Sequence, residues 1–546
     1  MFPYDLEHYT SNERSILKRY FTNVDKPVFA LVNLPEVVKG ALFARYSRSP
    51  KSLRRLFLDE FVDDLDVSGD ATVDATVGLK RAEALYERVF LEYGDDSVAQ
   101  LGGVHLACEQ ASNVLTKILE RGRLMSYLEQ STRYIGYDAR LANGHYRYHR
   151  PPEVLDSSLG ARYVGDMDQM FDAYGELLPK VQNWCSKRYP PIPGDSEIAH
   201  RQAVRAKALD SLRGLLPAAA LSNVGIYGSG QAYEQLLLRM RANPLPEANA
   251  YAEMMLIELR KVIPSFLQRV DIKERGGAWS KYLATTRDDT SRLLERLWPE
   301  PIPSSSNETH PEVRLTDFDP DGENKVLAAI CFRDSSVSES EAMRRIERLG
   351  EQERLDIMEA YVGDRLNRRH RPGRAFERTD YHFELVSDYG AFRDLQRHRM
   401  LSVEWQALTP SLGYDLPEAI SESKQEARYV ETLELSKDLY EALSGVFSVQ
   451  APYAVALAYK IRFTLQLNAR EALHLIELRS SPQGHPSYRR IAQAMHRAIA
   501  DVAGHKAIAA AMGYVDHSEP ELERLDSERR LQKRRAAIGV KNSLTL

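Results

Sequence analysis

Cysteine is scarce: Cys108, Cys185 and Cys331 are the only three, they lie far apart, and they form no CxxC pair or zinc-ligand spacing. That excludes a disulfide framework, and an odd, sparse set suits a reducing compartment. No apolar run reaches the roughly 20 residues that cross a bilayer. The opening Met1-Phe2-Pro3-Tyr4-Asp5 is neither a basic n-region nor followed by an apolar one, so no secretory signal is expected. Neither sign of charge dominates: 73 Lys and Arg against 78 Asp and Glu leave a formal charge of -5. Wholesale binding of polyanions has no electrostatic basis in such a chain. The expectation is a cytoplasmic protein with neither membrane nor nucleic-acid partners.

What remains is an ordinary folded composition, 43% hydrophobic and 28% charged over 546 residues, long enough for about two to four domains. The sharpest break runs from Trp298 to Asn324, with Pro299, Pro301, Pro303 and Ser304-Ser305-Ser306, and reads as a linker. Asp319-Pro320-Asp321-Gly322-Glu323 has some carboxylates of a calcium loop but not the remaining ligands, and turn chemistry is expected there. The domain reading is therefore residues 1–298, a linker over 299–323, a second domain over 324–516 and a charged tail over 517–546. The tail, with Arg529-Arg530 and Lys533-Arg534-Arg535, is expected to be a solvated helix or frayed end rather than an RNA contact.

The two sides of the linker repeat each other. Arg121-Gly122-Arg123-Leu124-Met125-Ser126 answers Arg397-His398-Arg399-Met400-Leu401-Ser402 at a separation of 276, and Ile135-Gly136-Tyr137-Asp138 answers Leu412-Gly413-Tyr414-Asp415 at 277. Two matches in near-constant register indicate a duplication. Apolar residues at three- and four-residue spacing predict helix over 97–128 and over 491–512. Short apolar or alternating runs predict strands at 328–332 and 381–386.

Two polar clusters carry candidate chemistry. In the second half, Arg397, His398 and Arg399 are followed by Asn468, Arg470, His474 and Arg479. A helix over 468–479 sets Arg470 and His474 on one face. Such a row of donors suits a long, polyoxygenated ligand such as a dinucleotide, or it is simply a solvated face. In the first half, Arg121, Arg123, Ser126, Glu129, Gln130, Ser131 and Arg133 precede Arg213 and Arg241 by sequence. Hydroxyls interleaved with arginine suit a phosphate monoester, while the alternative is a polar helix end capped by Ser131.

These residues resemble the flavin-dependent thymidylate synthases, whose signature is RHR-x7-S, extended as RHRxxSxNExSxRY. The first half reads RGRLMSYLEQSTRY and departs at Gly122 and Leu128; the second begins RHRMLS but has Ala407 where the final Ser belongs. Arg213-Gly214-Leu215-Leu216-Pro217 is similar to the family's R-x-x-L-P element, for which the second half has Pro452. Asn468-Ala469-Arg470, His474 and Leu478-Arg479 are similar to its N-x-R…LR helix, of which the first half keeps only Arg239 or Arg241, near Gly228-Ser229-Gly230. The resemblance covers about residues 35–260 and 345–512, with an insertion at 183–207 in the first copy.

The resemblance implies an α+β, helix-rich fold in tandem duplication and FAD as cofactor. It also implies methylenetetrahydrofolate and NADPH as co-substrates in the C5 methylation of dUMP to dTMP. Arg397, His398, Arg399, Asn468, Arg470 and His474 would hold FAD. Arg121, Arg123, Glu129, Ser131, Arg133 and Arg213 would hold the nucleotide, and Arg479 or Arg241 would polarise a uracil carbonyl. No metal is expected. The family's sites lie between subunits of a homotetramer, so a homodimer of this fused chain would imitate that assembly. Its upstream H-x-S-V-x-E-H segment is altered here to Asp95-Asp96-Ser97-Val98-Ala99-Gln100-Leu101, with Ala375-Phe376-Glu377-Arg378 a poor equivalent in the second copy. Two rival functions follow from these losses: a flavin enzyme acting on another pyrimidine nucleotide, or an inactive nucleotide-binding sensor.

Overall fold

The computed structural model describes residues 4, 7–34, 36–62, 100, 102–193, 195–298 and 311–518. Two four-stranded antiparallel sheets organise it, with orders β1-β2-β4-β3 and β5-β6-β8-β7. The first holds β1 (Val28–Ala30), β2 (Gly103–Ser112), β3 (Met125–Glu129) and β4 (Leu221–Ser229); the second holds β5 (Val313–Phe318), β6 (Asp380–Asp388), β7 (Leu401–Trp405) and β8 (Lys460–Asn468). The fold is α+β, helix-rich and duplicated.

Register makes the duplication exact to the residue over long stretches. Ser126 faces Tyr227 as Ser402 faces Gln466, and Ser112 faces Leu221 as Asp388 faces Lys460. Ser112 and Asp388 then cap equivalent seven-residue helices, Asn113–Leu119 and Tyr389–Leu395, each accepting from the backbone N–H three residues on. Ser229 and Asn468 likewise cap the helices Gly230–Arg241 and Ala469–Arg479. The span from Ser126 to Ser229 is 103 positions and that from Ser402 to Asn468 is 66. The extra chain is accommodated by two helices, Gly160–Arg188 and Glu197–Leu212, where the second copy has one, Glu426–Ser444.

The chain forms two compact units, and each borrows from the opposite half of the sequence. The first comprises Met1–Glu176, Leu215–Ser304 and Arg428–Ala456; the second comprises Leu177–Gly214, Ser305–Ala427 and Leu457–Leu546. Within the first, Ala218 N and Ala219 N donate to the carbonyls of Val455 and Tyr453 at 2.8 and 2.9 Å. Within the second, Ala458 N donates to Gly214 O at 2.9 Å, and His485 Nε2 lies 3.1 Å from Asp210 O.

Several expectations hold. Residues 381–386 are strand, the helix beginning after Asn468 forms, and 491–512 is helical through Pro486–Asp501 and Lys506–Ala511. Asp319 is a turn residue: its carbonyl accepts from Gly322 N and its carboxylate pairs with Lys325. Two expectations fail. Residues 97–128 do not form one helix, because β2, a short helix and β3 divide the described part. β2 is buried on both faces, so it shows no two-residue alternation, and its apolar residues join those of the following helix in a false helical period. Residues 328–332 are not a strand but lie in helix Gly322–Asp334; a short apolar run looks alike in both settings. β5 falls inside the span read as linker. The expectations for the tail beyond 518, and for most of the 95–101 segment, lie outside the described residues.

Candidate functional site

The second unit gathers its charged residues where the N-terminus of β7 meets the helix Ala469–Arg479. His398 sits in the turn before β7, and its side chain is 3% exposed. Its Nδ1 lies 3.0 Å from Glu471 Oε1, and its Nε2 accepts from Arg479 Nε at 3.0 Å. An arginine N–H can only donate, so Nε2 carries the lone pair and Nδ1 carries the proton that goes to Glu471. His474 Nδ1 straddles the same carboxylate, 3.3 Å from Oε1 and 3.4 Å from Oε2.

Burial pushes the His398 pKa down to about 4, against the pull of Glu471. Burial alone would raise Glu471, but the hydrogen bonds from the two imidazoles outweigh it and hold that carboxyl at about 2. At neutral pH the pair is thus a neutral imidazole on an ionised carboxylate.

The donor atoms of His398, Glu471 and His474 lie within 4.8 Å of one another, a spacing that a metal ion could use. The tautomer argues against it, because a metal on Nδ1 of His398 would displace the proton that Arg479 fixes there. The cluster reads instead as a hydrogen-bonded brace that aims Arg479.

The brace ends at an arginine group. Arg397 Nη2 lies 2.5 Å from Asp394 Oδ1, Arg479 Nη1 lies 3.7 Å from the same oxygen, and Arg213 Nη1 lies 3.6 Å from Asp394 Oδ2. Arg213 Nη2 is also 3.5 Å from Asp388 Oδ1. Arg213 has a side chain only 5% exposed, yet its Nε and Nη2 have no hydrogen-bond partner. Gly390 allows this approach, since a Cβ there would meet Arg213 at 3.0 Å. Three guanidiniums against two carboxylates, with one buried guanidinium underserved, leave a local excess of positive charge that suits an anionic oxygen ligand.

The expected flavin contacts divide by accessibility. Arg399 is exposed; Arg470 is 35% exposed, with Nη1 3.2 Å from Glu377 and Nε donating to Pro372 O. His474 is 23% exposed. Asn468 spends Oδ1 on capping Glu471 N. His398 has both ring nitrogens engaged inside the protein, which casts it as a positioning residue.

The first-copy residues fall differently. Arg121 and Arg123 are exposed in the turn before β3. Glu129 is buried with Lys117 Nζ at 3.4 Å, and Lys117 also holds Glu120 at 2.5 Å. Ser131 lies in a turn after β3 and accepts from Arg133 N at 3.3 Å; no helix ends there. These five belong to the first unit and Arg213 to the second. Arg241 is tied to Glu253 and Asp271, each at 2.8 Å, and register gives Met240 the place of Arg479.

Gly122 stands where the second copy has His398. A Cβ on Gly122 would meet the Tyr127 hydroxyl at 2.6 Å and Arg239 Nη2 at 3.6 Å, and Tyr127 OH donates to Gly122 O at 3.0 Å. A tyrosine has filled the histidine's space. Asp394, Glu471 and Tyr488, whose ring lies 5.5 Å from the Arg479 guanidinium, carry no signature in the sequence. Their signal was indirect: buried arginines need counter-charges and flat surfaces.

The profile of the thymidylate synthase complementing protein family matches residues 43–265 and 314–504. The chain belongs to this family. Its two matched regions are the two copies. Among similar proteins, a UPF0159 protein of Chlamydia muridarum is 39% identical over 96% of this chain and 98% of its own length. One from Chlamydia pneumoniae is 37% identical over the same shares. A protein named flavin-dependent thymidylate synthase from Clostridium tetani is 26% identical over 33% of this chain and 67% of its own length. A solved UMP/dUMP methylase from Streptomyces cacaoi, bound with 5-Br dUMP, shares 18% identity and covers 36% of this chain and 94% of its own, with a TM-score of 0.30. No helix among the described residues is long and apolar enough to cross a membrane.

The His398 brace has a consequence in acid. Its folded pKa of about 4 lies below the ordinary 6.5, so the unfolded chain binds more protons between those values. Stability from this group is complete above pH 6.5 and is lost as pH falls towards 4, about 3 kcal/mol in all. Denaturant midpoints of the chain should fall from pH 7 to pH 4.5, with a shallower slope in His398→Gln. Parallel slopes would show that the histidine is not held neutral.

Proposed function

We propose that this chain is a flavin-dependent enzyme that methylates C5 of a uridylate, most simply dUMP to dTMP. The observation that carries it is the underserved Arg213 guanidinium beside Arg397 and Arg479, next to an N-x-R…LR helix with accessible donors. Family membership and the name of the Clostridium tetani relative support the same reading.

FAD fits the accessible donor set: Arg397, Arg399, Arg470, Asn468 and His474 would hold it, and when bound it supplies the reducing chemistry, with NADPH and methylenetetrahydrofolate as co-substrates. The chain's own contribution is alignment and electrostatics. Arg213 binds the nucleotide phosphate. Arg479, aimed by His398 and backed by Tyr488, polarises a uracil carbonyl. Glu471 keeps the brace ionised and aligned. A homodimer is the proposed assembly, testable by light scattering.

Reconstituted chain should retain about one FAD, and NADPH oxidation should depend on both dUMP and methylenetetrahydrofolate, with dTMP identified by mass spectrometry. Arg479→Lys should cut that turnover by about 100-fold with flavin content unchanged, since a single ammonium lacks the planar fork whose Nε and Nη1 reach His398 and Asp394 separately. Arg470→Ala should weaken flavin retention more than dUMP binding. Turnover with UMP or CMP but not dUMP would move the substrate to another pyrimidine nucleotide. Nucleotide binding without flavin reduction would make the chain a sensor.

A further inference from the structure

A separate cleft lies in the first unit, lined by Tyr4, Gln110, Tyr146, Tyr148, Arg150 and Tyr251 among others, with a volume of roughly 190 Å³. None of its residues belongs to the signatures or to the arginine group of the second unit. We propose that this cleft is a second small-molecule site that takes a planar, single-ring carboxylate.

Size sets the first limit. The cleft is smaller than the roughly 300 Å³ at which sites for drug-sized ligands begin, so one ring with a small substituent fits and a nucleotide does not. Chemistry sets the second. The tyrosine hydroxyls are bound by the protein: Tyr146 to Asp172 at 2.5 Å, Tyr148 to Asp168 at 2.8 Å, Tyr251 to Glu109 O at 2.6 Å and Tyr4 to Met254 Sδ at 3.0 Å. Hydroxyls fixed in this way hold the rings in place, and a wall of fixed aromatic rings favours a flat apolar body.

Arg150 supplies the charge. Its Nη1 donates to the Tyr146 and Tyr148 carbonyls at 3.3 and 3.5 Å, and its guanidinium carbon lies 3.9 Å from the Tyr148 ring centroid. Its Nη2 is buried and has no hydrogen-bond partner, and Arg150 makes no ion pair among the described residues. An always-charged guanidinium with a buried, unanswered donor and no ion-pair partner is costly to keep, and a carboxylate in the cleft that Arg150 lines offsets its charge.

The backbone of β2 supplies an independent sign. Gln110 has φ of 57°, a left-handed conformation that a residue other than glycine adopts at a cost. It sits in a bulge where the register slips between Cys108 and Ala111, and Asn223 Oδ1 holds its N–H at 2.9 Å. The equivalent strand β6 pairs with β8 without a slip from Asp380 to Asp388. The distortion is thus particular to the first copy, and it brings a side chain to the cleft, as bulges beside binding sites do.

Benzoate and its neutral counterpart benzamide are suitable probes, titrated into the full chain by calorimetry or followed by saturation-transfer NMR. Saturable benzoate binding at about 1 mM or tighter is expected, with benzamide at least about tenfold weaker. Arg150→Met should lose benzoate binding by about tenfold or more. Gln110→Gly keeps the left-handed backbone without strain and removes the side chain, so it should fold normally and bind several-fold more weakly. Failure of the native chain to bind benzoate, equal binding of benzamide, or unchanged binding in both variants would overturn the assignment. Because neither variant touches Arg213 or Arg479, these outcomes are independent of nucleotide turnover.

Discussion

Residues 1–304 expressed alone should fail to fold, and should be recovered as a folded species only with residues 305–546 co-expressed. The first unit needs Arg428–Ala456 from the other half. That segment buries Tyr429, Leu433, Leu439, Leu443 and Tyr453, and at about 1.5–3 kcal/mol for each large side chain their loss approaches the whole stability of a domain. Polar losses add to it. Ala218 N and Ala219 N lose their acceptors, and buried Glu247 loses the Tyr453 hydroxyl at 2.6 Å. The reciprocal fragment loses Arg213 and the Gly214 carbonyl that Ala458 N meets. Affinity capture of one tagged half should retain the other, and the pair should unfold cooperatively. A monomeric 1–304 fragment with a cooperative unfolding transition would refute the exchange.

Glu477→Ala should destabilise the second unit by about 3–5 kcal/mol, the usual cost of leaving one member of a buried ion pair alone. Arg365 meets Glu477 through two parallel contacts, 2.7 and 2.6 Å, and the side chains are 6% and 1% exposed. The same carboxylate accepts from Tyr514 N at 3.2 Å, and Arg365 Nη1 also donates to Ala511 O at 2.8 Å. One pair therefore fastens the helix Ala469–Arg479 to the chain after helix Lys506–Ala511. Denaturant titration of far-UV ellipticity should show an earlier transition for the variant. The double change Glu477→Leu with Arg365→Met should recover much of the loss, because no orphaned charge remains. If both variants unfold at the native midpoint, the pair contributes nothing.

Local chemistry was the legible part of this molecule. The repeated hexapeptide marked the duplication, and the helix over 468–479 was legible, although Asn468 proves to be its cap. β6 showed its alternation, and the residues of the N-x-R…LR helix were placed on the right element. Non-local placement was hidden. β2 lacks alternation because both its faces are buried. The exchange of segments between units depends on contacts such as Ala218 to Val455, which leave no periodic trace. For the same reason Arg213, read with Ser131 and Arg133, is found with Asp388 and Asp394. Arg241 was read one position away from Met240, a difference that only strand register could resolve. His398 was read as a ligand contact, but its two buried hydrogen bonds make it the support for Arg479.

The Gly122–Tyr127 contact makes the divergence of the two copies hard to reverse. Restoring histidine at 122 while Tyr127 remains would force a Cβ to within 2.6 Å of a phenolic oxygen, so the ancestral-looking residue is the damaging one in the present background. Removing Tyr127 first would cost the hydrogen bond it donates to the Gly122 carbonyl before any histidine could profit from the room. A lineage carrying this pair meets a steric cost at position 122 on the way back to two equivalent copies, so the asymmetry reinforces itself.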